Sequence, residues 1–144
     1  MSALRVEDLN VHYGTIHAVQ GVSFSVGERE IVSIVGSNGA GKSTIMWTLA
    51  GVVERSGGYV EIFGERLPRK PHEVVARGLA LVPERRRLFT PLSVEENLVM
   101  GAYRRKKGKD LQDDMERCFQ LFPILKQRLR QRAGTLSGGE QQML

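Results

Sequence analysis

A chain of 144 residues with 41% apolar and 26% charged side chains is long enough for one packed domain, and that balance excludes disordered, fibrous and collagen-like classes. Lys and Arg number 21 against 16 Asp and Glu, and the resulting +5 suits polyanionic partners: nucleotide phosphate, nucleic acid or an anionic membrane surface. Cys118 is the single cysteine, so no disulfide forms within the chain; it reads as packing on a helix face, and a reducing cytosolic setting fits.

The opening "MSALRVEDLN" alternates apolar and polar residues and reads as no signal peptide. Apolar stretches run to only a few residues, far short of the ~20 that span a bilayer, so any link to a membrane is expected to go through a partner.

In chain order, "LRVEDLNVHYG" alternates as a strand, and "VSFSV" at 22–26 places Val22, Phe24 and Val26 on one face. "IVSIV" at 31–35 is apolar almost throughout, the pattern of a strand covered on both faces. "KSTIMWTLAG" follows as a helix of two to three turns stopped by Gly51, and "GYVEIFGE" at 58–65 and "LALVP" at 79–83 read as further strands. From Ser93 the texture turns helical. Ser93 and Glu96 form an S-x-x-E capping box, and residues 110–122 carry Leu111, Met115, Cys118, Phe119 and Phe122 as one apolar stripe, interrupted at Pro123. Domain organisation is read as 1–92, an α/β core with a β subdomain, and 93–144, a helical subdomain.

"GSNGAGKST", comprising Gly36, Ser37, Asn38, Gly39, Ala40, Gly41, Lys42, Ser43 and Thr44, satisfies G-x-x-x-x-G-K-[ST] between a strand and a helix. Wrapping a triphosphate in backbone N–H groups demands glycines where a Cβ would block approach or a positive φ is needed. The helix N-terminus adds partial positive charge. Lys42 is expected to reach the β- and γ-phosphates, Ser43 to place its hydroxyl on Mg²⁺, and Thr44 to add a phosphate contact. Tyr13, near the end of the first strand, reads either as a core or rim aromatic or as a platform for a base. The loop alone does not separate ATP from GTP.

A second S-x-x-E capping box joins Ser137 to Glu140, so "SGGE" starts a helix whose first N–H groups, at Gly138 and Gly139, are left bare; taken alone the motif reads either as a helix cap with no ligand or as a second anion site. A phosphate loop followed by L-S-G-G-E-Q resembles the nucleotide-binding subunits of ABC (ATP-binding cassette) transporters over the whole chain. The resemblance implies an α/β fold of the P-loop NTPase type, with a mixed or antiparallel β subdomain, a phosphate-loop core and a helical subdomain. It implies that Leu136, Ser137, Gly138, Gly139, Glu140 and Gln141 are the signature that faces the phosphate loop of a second ATP-binding subunit in a head-to-tail dimer. Tyr13 falls at the family's adenine-stacking aromatic.

"LVPERRRLFTPLSVEENLVMGAY" at 81–103 resembles, more narrowly, the smaller ATP-binding subunit of bacterial branched-chain amino-acid importers. Most of the family carries glutamine after "VP", where it helps to hold Mg²⁺ and water; this chain has Glu84, a residue that the branched-chain group often shows there. Glu84 and Lys42 are the catalytic candidates, and Ser43 and Glu84 the metal candidates. The resemblance implies ATP and Mg²⁺ as cofactors, transmembrane permease subunits as partners, no contact with the transported substrate, and a peripheral place on the cytoplasmic face of the inner membrane. A urea or amide importer is the nearest competitor.

Arg85 to Arg87 and "RRKKGK" at 104–109 read as solvated faces or as contacts to the permease or anionic lipid. Nucleic acid is disfavoured, because no aromatics are interleaved with the basic residues. The family's hydrolysis also needs an apolar strand ending in Asp-Glu, and none occurs in this sequence. The chain is therefore read as an N-terminal portion of a longer subunit or the product of a truncated gene, inactive and marginally stable alone, with "IVSIV" left as an unpaired apolar edge. A nucleotide-binding or interaction module without turnover is the alternative.

Overall fold

The computed structural model describes residues 2–84, 87–105 and 108–144, in two compact units, one ending at Leu81 and the other running from Val82 to Leu144. Arg85, Arg86, Lys106 and Lys107, and with them much of both basic clusters, lie outside the described residues.

The first unit grows from a hairpin. β1 (Ser2–Tyr13) and β2 (Ile16–Gly27) pair antiparallel across the two-residue connection at 14–15; β3 (Gly57–Ile62) adds to the other edge of β1, and β4 (Glu65–Arg66) to β3. The order is β2-β1-β3-β4, and every pairing is antiparallel. Along β2, half-buried Val22, Phe24 and Val26 alternate with exposed neighbours, as the pattern predicts.

β1 breaks its own alternation. Val6, Leu9 and Val11 all enter the core, so one step covers three residues instead of two. A β-bulge absorbs the extra residue: the register against β2 shifts between Val6 and Leu9, and Asp8 takes φ 48°. The bulged backbone presses on β3 at Gly58, whose φ is 91° and where a Cβ would lie 2.5 Å from the Asp8 carbonyl oxygen and 2.7 Å from that of Glu7.

Three strand readings need correction. Residues 31–35 and 79–83 form no strand among the described residues, and Ile31 and Val35 are 96% and 88% exposed. A strand is not a local conformation; its backbone groups need a neighbouring ladder, and neither segment has one here. Residues 58–65 are not one strand but the end of a hairpin, in which Phe63 (φ 47°) and Gly64 (φ 78°) form the turn between β3 and β4.

α1 (Lys42–Leu49) closes the core with Ile45, Thr48 and Leu49, and α2 (Pro71–Ala76) adds Val74. In the second unit, α3 (Val94–Gly101), α4 (Lys109–Leu121), α5 (Pro123–Gln127), a 3₁₀ turn (Ala133–Thr135) and α6 (Gly138–Met143) enclose Val94, Phe119, Leu125 and Leu136. The capping box at Ser93 forms as read: the Glu96 N–H donates to Ser93 Oγ at 3.1 Å, and the Ser93 N–H to Glu96 Oε2 at 2.7 Å. The stripe on α4 turns Phe119 fully inward and leaves Leu111, Met115 and Cys118 half-buried. Phe122 falls at the helix end, where Pro123 begins α5.

Candidate functional site

The phosphate loop closes on its own lysine. Lys42, the first residue of α1, donates from Nζ to the carbonyl oxygens of Gly36 at 2.9 Å and Ser37 at 2.8 Å, and the Ala40 N–H donates to Ser37 O at 3.2 Å. The result is a ring of backbone around an ammonium group. Two of the three ammonium protons are directed at the loop, which leaves one for an incoming anion. Gly41, at φ 90°, caps α1 without a side-chain bond, and no acidic residue stands in the first turn. The helix start is therefore open to negative charge.

This loop fits a phosphate chain sterically. A Cβ at Gly41 would lie 2.6 Å from the Ala18 carbonyl oxygen of β2, so only glycine lets the loop rest against the hairpin, while the space around a Cβ at Gly39 (φ 87°) is open to 4 Å. Ser37, Asn38, Gly39, Ala40 and Ser43 are exposed, and Thr44 is half-buried. The Ser43 hydroxyl is the loop oxygen suited to a hard divalent cation; among the described residues no cluster of three or more His, Cys, Asp or Glu could hold a metal by itself. Tyr13 ends β1 in the same unit, 45% exposed and paired in register with Ile16.

The second unit holds the remaining candidates. Ser137 caps α6: its backbone N–H donates to Glu140 Oε2 at 2.8 Å, and the Glu140 N–H donates to Ser137 Oγ at 3.4 Å. Ser137, Gly138 and Gly139 are exposed. Arg128 Nε lies 3.2 Å from Glu140 Oε1, and Gln141 Nε2 donates to the Ala133 carbonyl oxygen at 3.1 Å, so the short helix is anchored through two consecutive side chains at the end of its first turn. Glu84 stands exposed in a turn of this unit.

Both capping glutamates are held below the ordinary carboxylate range. For Glu140 the causes are hydrogen bonds from the Ser137 hydroxyl and backbone; for Glu96, from the Ser93 backbone and then its hydroxyl. A depressed folded pKa contributes stability that is fully present above the unfolded value, about 4.3, and is lost as pH falls through the folded one. The N-termini of α3 and α6 are therefore expected to fray on acidification below about pH 4.3. Amide shifts of Ser93 and Ser137 followed by NMR check this; if Glu140→Gln leaves the Ser137 titration unchanged, the cap is not its cause.

Sequence reasoning missed three groups. Arg128 is invisible as a partner of Glu140 because the contact depends on how the preceding turns fold. His12 and His17 stack face to face, with ring centroids 3.9 Å apart and planes 12° apart. The signal for these was present in "VHYGTIHAV", two imidazoles flanking a turn, but only the strand register brings them opposite each other.

A glycine loop locked by a lysine at a helix start, beside an antiparallel hairpin, defines a P-loop nucleotide-binding protein of the cassette type. The ABC transporter family matches residues 19–144, and the chain belongs to that family. It is 46% identical to the high-affinity branched-chain amino acid transport ATP-binding protein BraG of Pseudomonas aeruginosa over 98% of this chain and 60% of that protein. It is 35% identical to a probable branched-chain amino acid transport ATP-binding protein, LivF, of Archaeoglobus fulgidus over the same shares. The ADP conformation of an ATP-binding cassette of an ABC transporter superposes with a TM-score of 0.82 at 25% identity, covering 99% of this chain and 62% of that one. The chain thus spans about 60% of the length of these relatives. Among the described residues no helix is long and apolar enough to cross a membrane.

Proposed function

We propose that this chain carries the nucleotide-binding surfaces of an ATP-driven importer subunit, and that the complete subunit hydrolyses ATP to power uptake of branched-chain amino acids. The observation that carries the reading is the ring formed by Lys42 and the carbonyls of Gly36 and Ser37 at the start of α1. The two relatives at 46% and 35% identity favour the substrate class.

In this reading Lys42, the N–H groups of residues 37–44 and the α1 dipole bind the β- and γ-phosphates of ATP. Ser43 and Thr44 serve Mg²⁺ and the phosphates, the ion supplying charge neutralisation on the phosphate oxygens; Glu84, in the second unit, is a metal candidate by resemblance alone. Tyr13 stacks on adenine. Ser137, Gly138, Gly139 and Glu140 form the half-site lent to the nucleotide of a second ATP-binding subunit in a head-to-tail pair. Permease subunits are the proposed membrane partners, which would hold the protein at the cytoplasmic face of the membrane. An open groove of about 390 Å³ along α3 is lined by Leu92, Glu95, Glu96, Val99 and Met100.

The test is ATP-dependent uptake of radiolabelled leucine in vesicles carrying the complete transporter, with Ser137→Arg beside the unmodified subunit. The reading expects uptake to be abolished by Ser137→Arg while Mg-ATP still binds the isolated subunit. Uptake that survives the substitution removes Ser137 from the site, and uptake of urea but not leucine overturns the substrate assignment.

A further inference from the structure

The hairpin that ends in Tyr13 reaches past the core. Its last buried cross-strand pair is Val11 with Val19; beyond it, Tyr13 and Ile16 are both exposed, the latter by 67%. Between the core and the tip lies one further pair, His12 opposite His17. Residues directly opposite in an antiparallel ladder project to the same face, and the next pair projects to the other. The imidazoles thus occupy one face, and Tyr13 the other.

The rings do not have the geometry of a metal chelate. Two imidazoles stacked 3.9 Å apart and 12° from parallel send their in-plane lone pairs along parallel planes, not to a common point. Each is instead tied to its own polar partner. His12 Nδ1 is 2.8 Å from Ser56 Oγ, and His17 Nε2 is 2.9 Å from Asn10 Oδ1. Asn10 is itself fixed: its Oδ1 accepts from the Gly21 N–H at 3.1 Å, its Nδ2 donates to the Asp8 carbonyl at 2.7 Å, and its backbone carbonyl accepts from the Ser56 N–H at 2.9 Å. One residue beyond His17, the Ala18 carbonyl is the floor on which Gly41 of the phosphate loop rests. The span from Ala18 to the hairpin tip is the lever between triphosphate and base.

We propose that the His12–His17 stack is a positioning device for adenine: it stiffens the hairpin tip so that Tyr13 stands at a fixed height above the phosphate loop. The inference rests on Tyr13 as the base platform. It assigns the imidazoles no contact with nucleotide. Their effect is confined to the base, because the loop that holds the phosphates is anchored below them, at Ala18.

The experiment is calorimetric titration of the full-length chain with Mg-ATP and, separately, with Mg-tripolyphosphate, which has the phosphates and no base. His17→Ala is expected to weaken ATP binding by roughly two- to tenfold, the worth of one ring stack, with tripolyphosphate unchanged. His17→Phe, which keeps a ring to stack on, is expected to restore most of the affinity, and His17→Ala added to Tyr13→Ala to cost nothing further. Unchanged tripolyphosphate binding also shows that each variant has folded. If Tyr13→Ala leaves ATP affinity unchanged, the base platform lies elsewhere and the proposal falls with it. If Tyr13→Ala weakens ATP but His17→Ala does not, or if His17→Ala weakens both ligands equally, the platform stands and the positioning role is overturned.

Discussion

Replacing Lys42 by alanine is expected to weaken Mg-ATP binding by roughly 10- to 150-fold, the factor for losing a hydrogen bond to a charged group. The side chain acts in two ways. In the proposed site its ammonium meets the phosphates, and it also neutralises the carbonyls of Gly36 and Ser37, to which it donates. Without it those carbonyl dipoles face an approaching anion with nothing between, so the upper part of the range is expected. Lys42→Arg isolates the second effect, since a guanidinium keeps the charge but cannot sit as a compact point inside the ring, and affinity should remain well below that of the unmodified chain. Equilibrium titration with a fluorescent ATP analogue measures both; an alanine variant within threefold of the parent would remove Lys42 from the site.

Gly58→Ala is expected to destabilise the first unit by roughly 2–5 kcal/mol, combining a left-handed backbone forced on an L residue with overpacking. The new methyl would meet backbone on three sides, at Asp8, Glu7 and Leu9, and backbone cannot rotate away as a side chain can. β1 is the central partner of both β2 and β3, so strain at its bulge reaches the whole sheet. Urea unfolding followed by circular dichroism gives the value. Gly64→Ala is the control, because its positive φ is similar while its surroundings are open to 4 Å; there only the backbone cost of about 1–2 kcal/mol is expected. Equal losses at the two positions would show that crowding at the bulge contributes nothing.

What could be read from the sequence is what depends on near neighbours. The two capping boxes and the alternation of β2 are set within a few residues, and each appears in the structure as its pattern implies. The bulge in β1 was legible in retrospect: Leu4 and Val6 share one parity and Leu9 and Val11 the other, which no regular strand can satisfy. Residues 31–35 and 79–83 were misjudged because a short apolar run, β-branched in the first case, records suitability for a sheet interior, not the presence of a ladder. The imidazole stack depends on cross-strand register, and the Arg128–Glu140 contact on turns that no local pattern encodes.

The exposed run Ile31 to Val35 has a consequence in time. It is short, β-branched, uncharged and free of proline, the composition that templates strand addition between copies. No strand in the described residues pairs with it. Roughly a hundred residues follow Val35 in this sequence, so at ordinary ribosomal speed Val35 is made on the order of 5–20 s before Leu144, and the run is still exposed once Leu144 is in place. Throughout that interval and after it, copies of the chain present the same apolar pentapeptide to one another. Soluble yield should therefore depend on chain concentration and on holdase supply more steeply than the stability of the finished fold would suggest.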